Sequence, residues 1–248
     1  MDCVNETIEG ILSHYSVRDF KDEALTEAEI ALLVKSAQAA STSSFVQAYS
    51  IIGVSDKALR EAISEVAGKQ PYIVKTGQFF VFVADLSRHH QIGEARGAET
   101  DSLTSMERFL VATVDATLAA QNMAIAAESM GLGICYIGGI RNDLARVSDL
   151  LQIPDYATPL FGLTIGHPTT SSEPKPRLAS ELVYHENHYQ PKGIQDFNEY
   201  DDTIRDYYAA RTGGKRVEGW TDQIERSLKY ATRLDLKEFL ASKNLGKK

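Results

Sequence analysis

The stretch MERFLVATVDATLAAQNMAIAAESM, residues 106–130, decides how the rest of the chain is read. Apolar residues occur on most faces of the helix it predicts, and such a helix needs cover on more than one side. Asp115, Gln121, Asn122 and Glu128 interrupt the apolar run, so the segment reads as a buried helix and not as a membrane span. One side is expected against the chain's own core and another against a second copy, which makes a homodimer the natural inference. Gly131 and Gly133 close the helix, and residues 134–137 read as a strand.

Working outward, Phe79-Phe80-Val81-Phe82-Val83-Ala84 has the aromatic and β-branched content of a central strand. Residues 49–54 predict a second strand, followed by a helix carrying Leu59, Ile63 and Val66 that stops at Gly68. Residues 160–165 predict the last strand. Thr26-Glu27-Ala28-Glu29 fits a capping box, after which Ile30, Leu33, Val34 and Ala37 recur at helical spacing up to Ser41-Thr42-Ser43-Ser44. Val4, Ile8, Ile11 and Leu12 share one face of a first helix. Asn142 is read as the cap of a helix through Leu151 that stops before Pro154, and the polar stretch 89–105 as a surface loop. After Arg177 the composition turns polar and tyrosine-rich, with helical stretches near 200–211 and 220–242.

The charge balance narrows the functions. With 26 Lys and Arg against 34 Asp and Glu, the net charge is −8, and a general nucleic-acid or anionic-membrane binder needs a basic face. Cys3 and Cys135 are too few and too distant for a disulfide scaffold or a zinc site, which points to a reducing compartment. The first residues lack the basic and apolar regions of a signal peptide, so a cytoplasmic location is expected. No P-loop, C-x-x-C, H-E-x-x-H or G-x-S-x-G signature is present, and Gly131-Leu132-Gly133 and Gly138-Gly139 have the wrong spacing for a dinucleotide fingerprint. His185 and His188 have no carboxylate or cysteine company, and no metal is expected.

In so acidic a chain, local basic clusters carry information. His14-Tyr15-Ser16-Val17-Arg18 offers imidazole, hydroxyl and guanidinium at alternating positions, and Lys175-Pro176-Arg177 offers two more cations on a stiff backbone. These are the donors that a phosphate monoester takes. Each has a plainer reading, the first as cations after a helix and the second as a solvated loop. Ser41 to Ser44 read as a helix terminus or as a row of hydroxyls for a flat polar ligand, and Gly138-Gly139 as a turn or as a place where a ring meets backbone without a Cβ between.

Taken in order, His14-Tyr15-Ser16-Val17-Arg18, Ala40-Ser41-Thr42-Ser43-Ser44-Phe45-Val46-Gln47, Tyr136-Ile137-Gly138-Gly139-Ile140-Arg141-Asn142, Pro159-Leu160-Phe161-Gly162 and Lys175-Pro176-Arg177-Leu178 resemble the FMN-dependent nitroreductase superfamily. The likeness is to its oxygen-insensitive NADPH nitroreductase and NADPH-flavin oxidoreductase branch, and it covers nearly the whole chain. It implies an α+β fold, a mixed and mainly antiparallel sheet wrapped by helices in an intertwined homodimer, with FMN at the subunit interface. It further implies a core over 1–190 and a helical excursion over 191–248 that serves dimer contacts and NADPH.

By the same resemblance, His14, Ser16, Arg18 and Arg177 would hold the FMN phosphate. Thr42, Ser43, Ser44, Gln70, Ile137, Gly138, Gly139 and Lys175 would follow the ribityl chain and ring, with Lys175 stabilising the N1/O2 edge. Arg211, Arg216 and Arg233, assisted by Lys215, would read the NADPH 2′-phosphate, with Glu107 pairing Arg233 in the empty site. NADH is a second possible donor. The implied reaction is ping-pong hydride transfer through flavin N5 to small-molecule acceptors: nitroaromatics, quinones or free flavin. No protein nucleophile is needed. Tyr15 and Thr42 depart from relatives that carry a basic residue and a serine there. A reductive dehalogenase on the same fold and a non-catalytic phosphate- or nucleotide-binding regulator are the alternatives.

Overall fold

The computed structural model describes residues 4–248, and Cys3 lies outside the described residues. In chain order the elements are α1 (Glu6–Leu12), α2 (Glu27–Gln38), β1 (Tyr49–Val54), α3 (Lys57–Val66), α4 (Tyr72–Lys75), β2 (Gln78–Asp85), α5 (Ser87–Arg96), α6 (Met106–Ser129), β3 (Gly133–Ile137), α7 (Leu144–Leu150), β4 (Ala157–Gly166), α8 (Asn198–Thr212), α9 (Trp220–Leu228) and α10 (Leu236–Ser242). Two compact units are formed. One runs through Ser172 and resumes at Arg233–Lys248, and the other is Glu173–Thr232.

The first unit is built on a four-stranded sheet in the order β1-β2-β4-β3, with every neighbouring pair antiparallel. Every residue of β2 is buried, because both faces of the sheet are covered. Phe80 and Phe82 point to a core shared with Leu33, Ala37, Ala116, Ala120 and Met123 of α2 and α6. Their neighbours Phe79, Val81 and Val83 point to a second core with Ile63, Val66, Ile137 and Val147. The continuous apolar run follows from this two-sided burial, since successive strand residues alternate faces.

The long helix α6 takes its place in that core through small residues, Ala112, Ala116, Ala119, Ala120, Ala124 and Ala127, all buried. It is long and apolar enough to cross a membrane, yet here it packs on α2 and the sheet. Its other side leaves Met106, Leu110, Val114 and Leu118 exposed at four-residue spacing, one stripe of a helix. The capping box on α2 forms as expected, Glu29 N–H to Thr26 Oγ1 at 3.2 Å and Thr26 N–H to Glu29 Oε2 at 2.7 Å.

Several expectations are corrected. The stretch read as a surface loop over 89–105 contains most of α5 and a short 3-10 turn, Asp101–Thr104. Asp85, the last residue of β2, starts α5 by accepting the Ser87 N–H at 2.9 Å. The cap of α7 is Asp143, which accepts the Arg146 N–H, and not Asn142, which donates to Val66 O. The helix expected over 220–242 breaks into α9 and α10, with Arg233 left-handed at φ 57° between them.

The first unit runs through Ser172, and the tail rejoins it from Arg233. Leu240 and Leu245 sink into its core, the Tyr156 N–H donates to Lys243 O at 2.8 Å, and the Met106 N–H donates to Lys248 O at 2.7 Å. The second unit is organised by Asp201, which is buried and accepts from the Thr221 backbone and hydroxyl, joining α8 to α9. Gly219 is required there: a Cβ would stand 2.7 Å from the Asp201 carboxyl carbon.

Candidate functional site

Residues 14–18 follow α1 and run extended along the edge of β3. Ser16 bridges Ile134 in parallel, and the Val17 N–H donates to Ile134 O at 2.8 Å. Extended backbone alternates its side chains, so Val17 is buried while Ser16 and Arg18 are exposed together. Gly133 makes this possible, because a Cβ there would lie 2.5 Å from Val17 Cγ2. His14 is half-buried with Nδ1 2.5 Å from Glu128 Oε1, at the last turn of α6.

Behind Ser16 and Arg18 stand Cys135 and Tyr72. Burial pushes the Cys135 thiol up, against the opposing pull of Arg18 and a hydrogen bond with Ser16. Burial also raises the Tyr72 phenol, again opposed by Arg18. The Tyr72 hydroxyl donates to Gln70 Oε1 at 2.6 Å, and Gln70 Nε2 donates to Ala67 O at 2.8 Å. Gly139 packs on that same Ala67, where a Cβ would be 2.6 Å from its carbonyl oxygen. Ser16 and Arg18 thus lie along β3, while Gln70 and Gly139 both meet Ala67 beyond Ile137, the strand's last residue, and Tyr72 links Gln70 to Arg18.

Arg141 and Arg233 flank this turn. Arg141 Nη1 donates to Leu160 O at 2.7 Å, and burial first and then Arg233 lower its guanidinium from the usual range. Arg233 Nη2 donates to Asn142 Oδ1 at 3.0 Å. Glu107 is exposed in the first turn of α6.

Thr42, Ser43 and Ser44 form a separate group after α2. The loop is unusual: Ser44, Phe45 and Gln47 are left-handed at φ 47°, 60° and 50°. Asp115, fully buried in the middle of α6, holds it by accepting the Ser43 N–H at 2.9 Å and the Ala48 N–H at 3.0 Å. From α5, Arg88 Nη2 donates to Gln47 O at 3.1 Å and His89 Nε2 reaches Val46 O at 2.9 Å. The Thr42 hydroxyl is buried without a hydrogen-bond partner, an acceptor and donor left for something else.

The remaining expected residues belong to the second unit. Lys175 Nζ donates to the Tyr208 hydroxyl at 2.7 Å, and Arg177 Nη1 donates to Lys175 O at 2.5 Å. The Arg216 guanidinium lies 3.6 Å from the centre of the Tyr208 ring and pairs with Glu218, which also takes Arg226. Arg226, with Arg216, pulls the Glu218 carboxyl down to about 2. Arg211 Nη1 donates to the Tyr207 hydroxyl at 2.7 Å, and Lys215 is exposed.

Asp115, Glu128, Tyr72, Tyr208 and Glu218 were not among the expected site residues. Asp115 did leave a signal, a lone carboxylate among the core-facing alanines of α6. The others leave none, because their partners are brought to them only by the fold.

The chain is similar to several known proteins. Residues 11–167 match the model of the nitroreductase family, and residues 175–248 match that of the nitroreductase family C-terminal domain. An FMN reductase (NADPH) of Bacillus subtilis (strain 168) is 55% identical over 249 residues, covering 98% of this chain and 100% of the relative. An NADPH-dependent oxidoreductase of Staphylococcus haemolyticus (strain JCSC1435) is 45% identical, covering 95% and 96%. Among solved structures, an NADPH:FMN oxidoreductase from Vibrio harveyi in complex with NAD+ superposes with a TM-score of 0.89 at 37% identity, covering 98% of this chain and 100% of that one.

Proposed function

This chain belongs to the nitroreductase family and is an FMN-dependent NADPH oxidoreductase, and on that premise we propose how its own residues divide the work. When bound, FMN supplies the hydride relay between NADPH and a small-molecule acceptor: a nitroaromatic, a quinone or free flavin. The chain's task is to bind, orient and balance charge.

The observation that carries the assignment is the extended 14–18 segment. It sets Ser16 and Arg18 on one side, beside Cys135 and Tyr72, and the Tyr72 hydroxyl donates to Gln70. A hydroxyl and a guanidinium suit phosphate oxygens, and His14 adds an imidazole held by Glu128. Gln70, Ile137, Gly138 and Gly139 are proposed for the flavin itself. Thr42, Ser43 and Ser44 are proposed for a flavin as well, with the orphaned Thr42 hydroxyl fitting a ribityl or ring contact. For Lys175 and Arg177 the proposal rests on the sequence resemblance, with Lys175 as the cation for the N1/O2 edge. Arg211, Lys215, Arg216 and Arg233 are proposed to receive the anionic end of NADPH, with Glu107 at its margin.

A homodimer in the cytoplasm is proposed alongside. Its support is the exposed stripe Met106, Leu110, Val114 and Leu118 on α6, with Ile8, Ile11 and Leu12 exposed on α1. The assignment is tested with Arg18→Ala. One charge-assisted contact to phosphate is worth about 1.5–3 kcal/mol, so FMN affinity should fall roughly 10- to 150-fold while the flavin-saturated kcat holds. Unchanged affinity would remove Arg18 from the phosphate site.

A further inference from the structure

Tyr208 has no part in the assignments above, yet it touches two of the residues that do. It lies on α8, 9% exposed, in a unit whose few buried residues include Asp201 and Ile204. Its hydroxyl accepts from Lys175 Nζ at 2.7 Å and faces Gln223 Oε1 at 3.4 Å. One ring face carries Arg216, whose guanidinium carbon is 3.6 Å from the ring centre, a cation–π separation well inside the effective range.

The backbone ties Arg216 to the same residue. The Thr212 hydroxyl donates to Tyr208 O at 2.7 Å and accepts the Arg216 N–H at 2.9 Å. Between them Gly213 and Gly214 are left-handed, at φ 59° and 78°, so the chain turns back on the end of α8 and delivers Arg216 onto the ring. Glu218 then fixes the outer edge of the guanidinium. Arg216 is held from three sides before any ligand arrives, which lowers the ordering cost of binding an anion.

We propose that Tyr208 is a positioning residue that sets two cations from one ring: Lys175, for the flavin edge, through its hydroxyl, and Arg216, for the NADPH phosphate, through its face. This rests on the roles given above to Lys175 and Arg216. The two functions separate chemically. Tyr208→Phe removes the hydroxyl's bond to Lys175 and keeps the ring, from whose centre Lys175 Nζ also stands 4.9 Å, whereas Tyr208→Leu removes both.

The test uses FMN-loaded enzyme with Lys175→Ala and Arg216→Ala as references, and two readouts: the midpoint potential of the bound flavin, and the ratio of kcat/KM for NADPH to that for NADH. Lys175→Ala should lower the potential, and Arg216→Ala should lower the ratio. Tyr208→Phe should move the potential in the direction of Lys175→Ala and keep the ratio within about twofold of wild type. Tyr208→Leu should also lower the ratio, by roughly three- to tenfold, the value of one cation–π contact. Loss of the ratio in Tyr208→Phe overturns the division of labour. So does a wild-type potential in Tyr208→Phe when Lys175→Ala has lowered it. If the two reference variants leave both readouts at wild type, the roles of Lys175 and Arg216 fall, and this proposal falls with them.

Discussion

Replacing Asp115 with asparagine should loosen the Thr42–Ala48 loop out of proportion to the size of the change. Ser44, Phe45 and Gln47 each hold a left-handed backbone, which costs a non-glycine residue roughly 1–2 kcal/mol, so the three together cost roughly 3–6 kcal/mol. Against this, the buried carboxylate accepts the N–H groups of Ser43 and Ala48, and two bonds to a charged acceptor return roughly 3–6 kcal/mol. The loop is therefore close to balance. An asparagine has one acceptor oxygen, so one N–H loses its partner and faces an amide that donates, a loss of about 3 kcal/mol. In a chain of this size that is a fall in Tm of roughly 6–12 °C. Differential scanning calorimetry of the FMN-loaded protein measures it, and chymotrypsin reports the loop directly, since Phe45 is 81% exposed and should be cut faster in the variant. A Tm within about 2 °C of wild type and unchanged cleavage at Phe45 would refute the reasoning.

Three further outcomes follow from the same structure. Gly133→Ala places a Cβ 2.5 Å from Val17 Cγ2 and must displace the 14–18 segment, so about 1–3 kcal/mol of stability and part of the FMN affinity should be lost together in urea and flavin titrations. Glu218 is held at about 2 instead of the ordinary 4.5; its contribution is complete above 4.5 and disappears as pH falls through 2. Tryptophan fluorescence of Trp220, which packs on Phe197 and Tyr200, should report loosening across that window in wild type and not in Glu218→Gln. Leu110→Asp combined with Leu118→Asp puts charge into the exposed stripe of α6, and sedimentation velocity should then find a monomer where wild type is a dimer.

The sheet and the central helix were legible because both signals are periodic. The apolar run Phe79–Ala84 within β2 implies two covered faces, and the 106–130 helix could be read from its alanines and its interrupting polar residues. What stayed hidden depends on partners far along the chain. The carboxylate of Asp115 meets backbone N–H groups 72 and 67 residues away, and backbone groups leave no mark on a sequence. Helix α5 leaves little signal because its residues are polar and its start is fixed by Asp85, which the fold makes the last residue of the preceding strand. Arg233 takes a left-handed conformation between α9 and α10 without being glycine, so no breaker announces the gap. Of the residues proposed for the flavin, Ser16 and Arg18 lie along β3, and Gln70 and Gly139 both meet Ala67. Tyr72, which joins them, carried no signal at all.

The most direct test of the whole account is anaerobic mixing of the FMN-loaded protein with NADPH in the absence of any acceptor. The visible flavin band should bleach with one equivalent of NADPH and return when a nitroaromatic or quinone is added, and steady-state plots against the two substrates should be parallel. A flavin band that NADPH leaves unchanged until acceptor is present, with intersecting plots, would contradict the account.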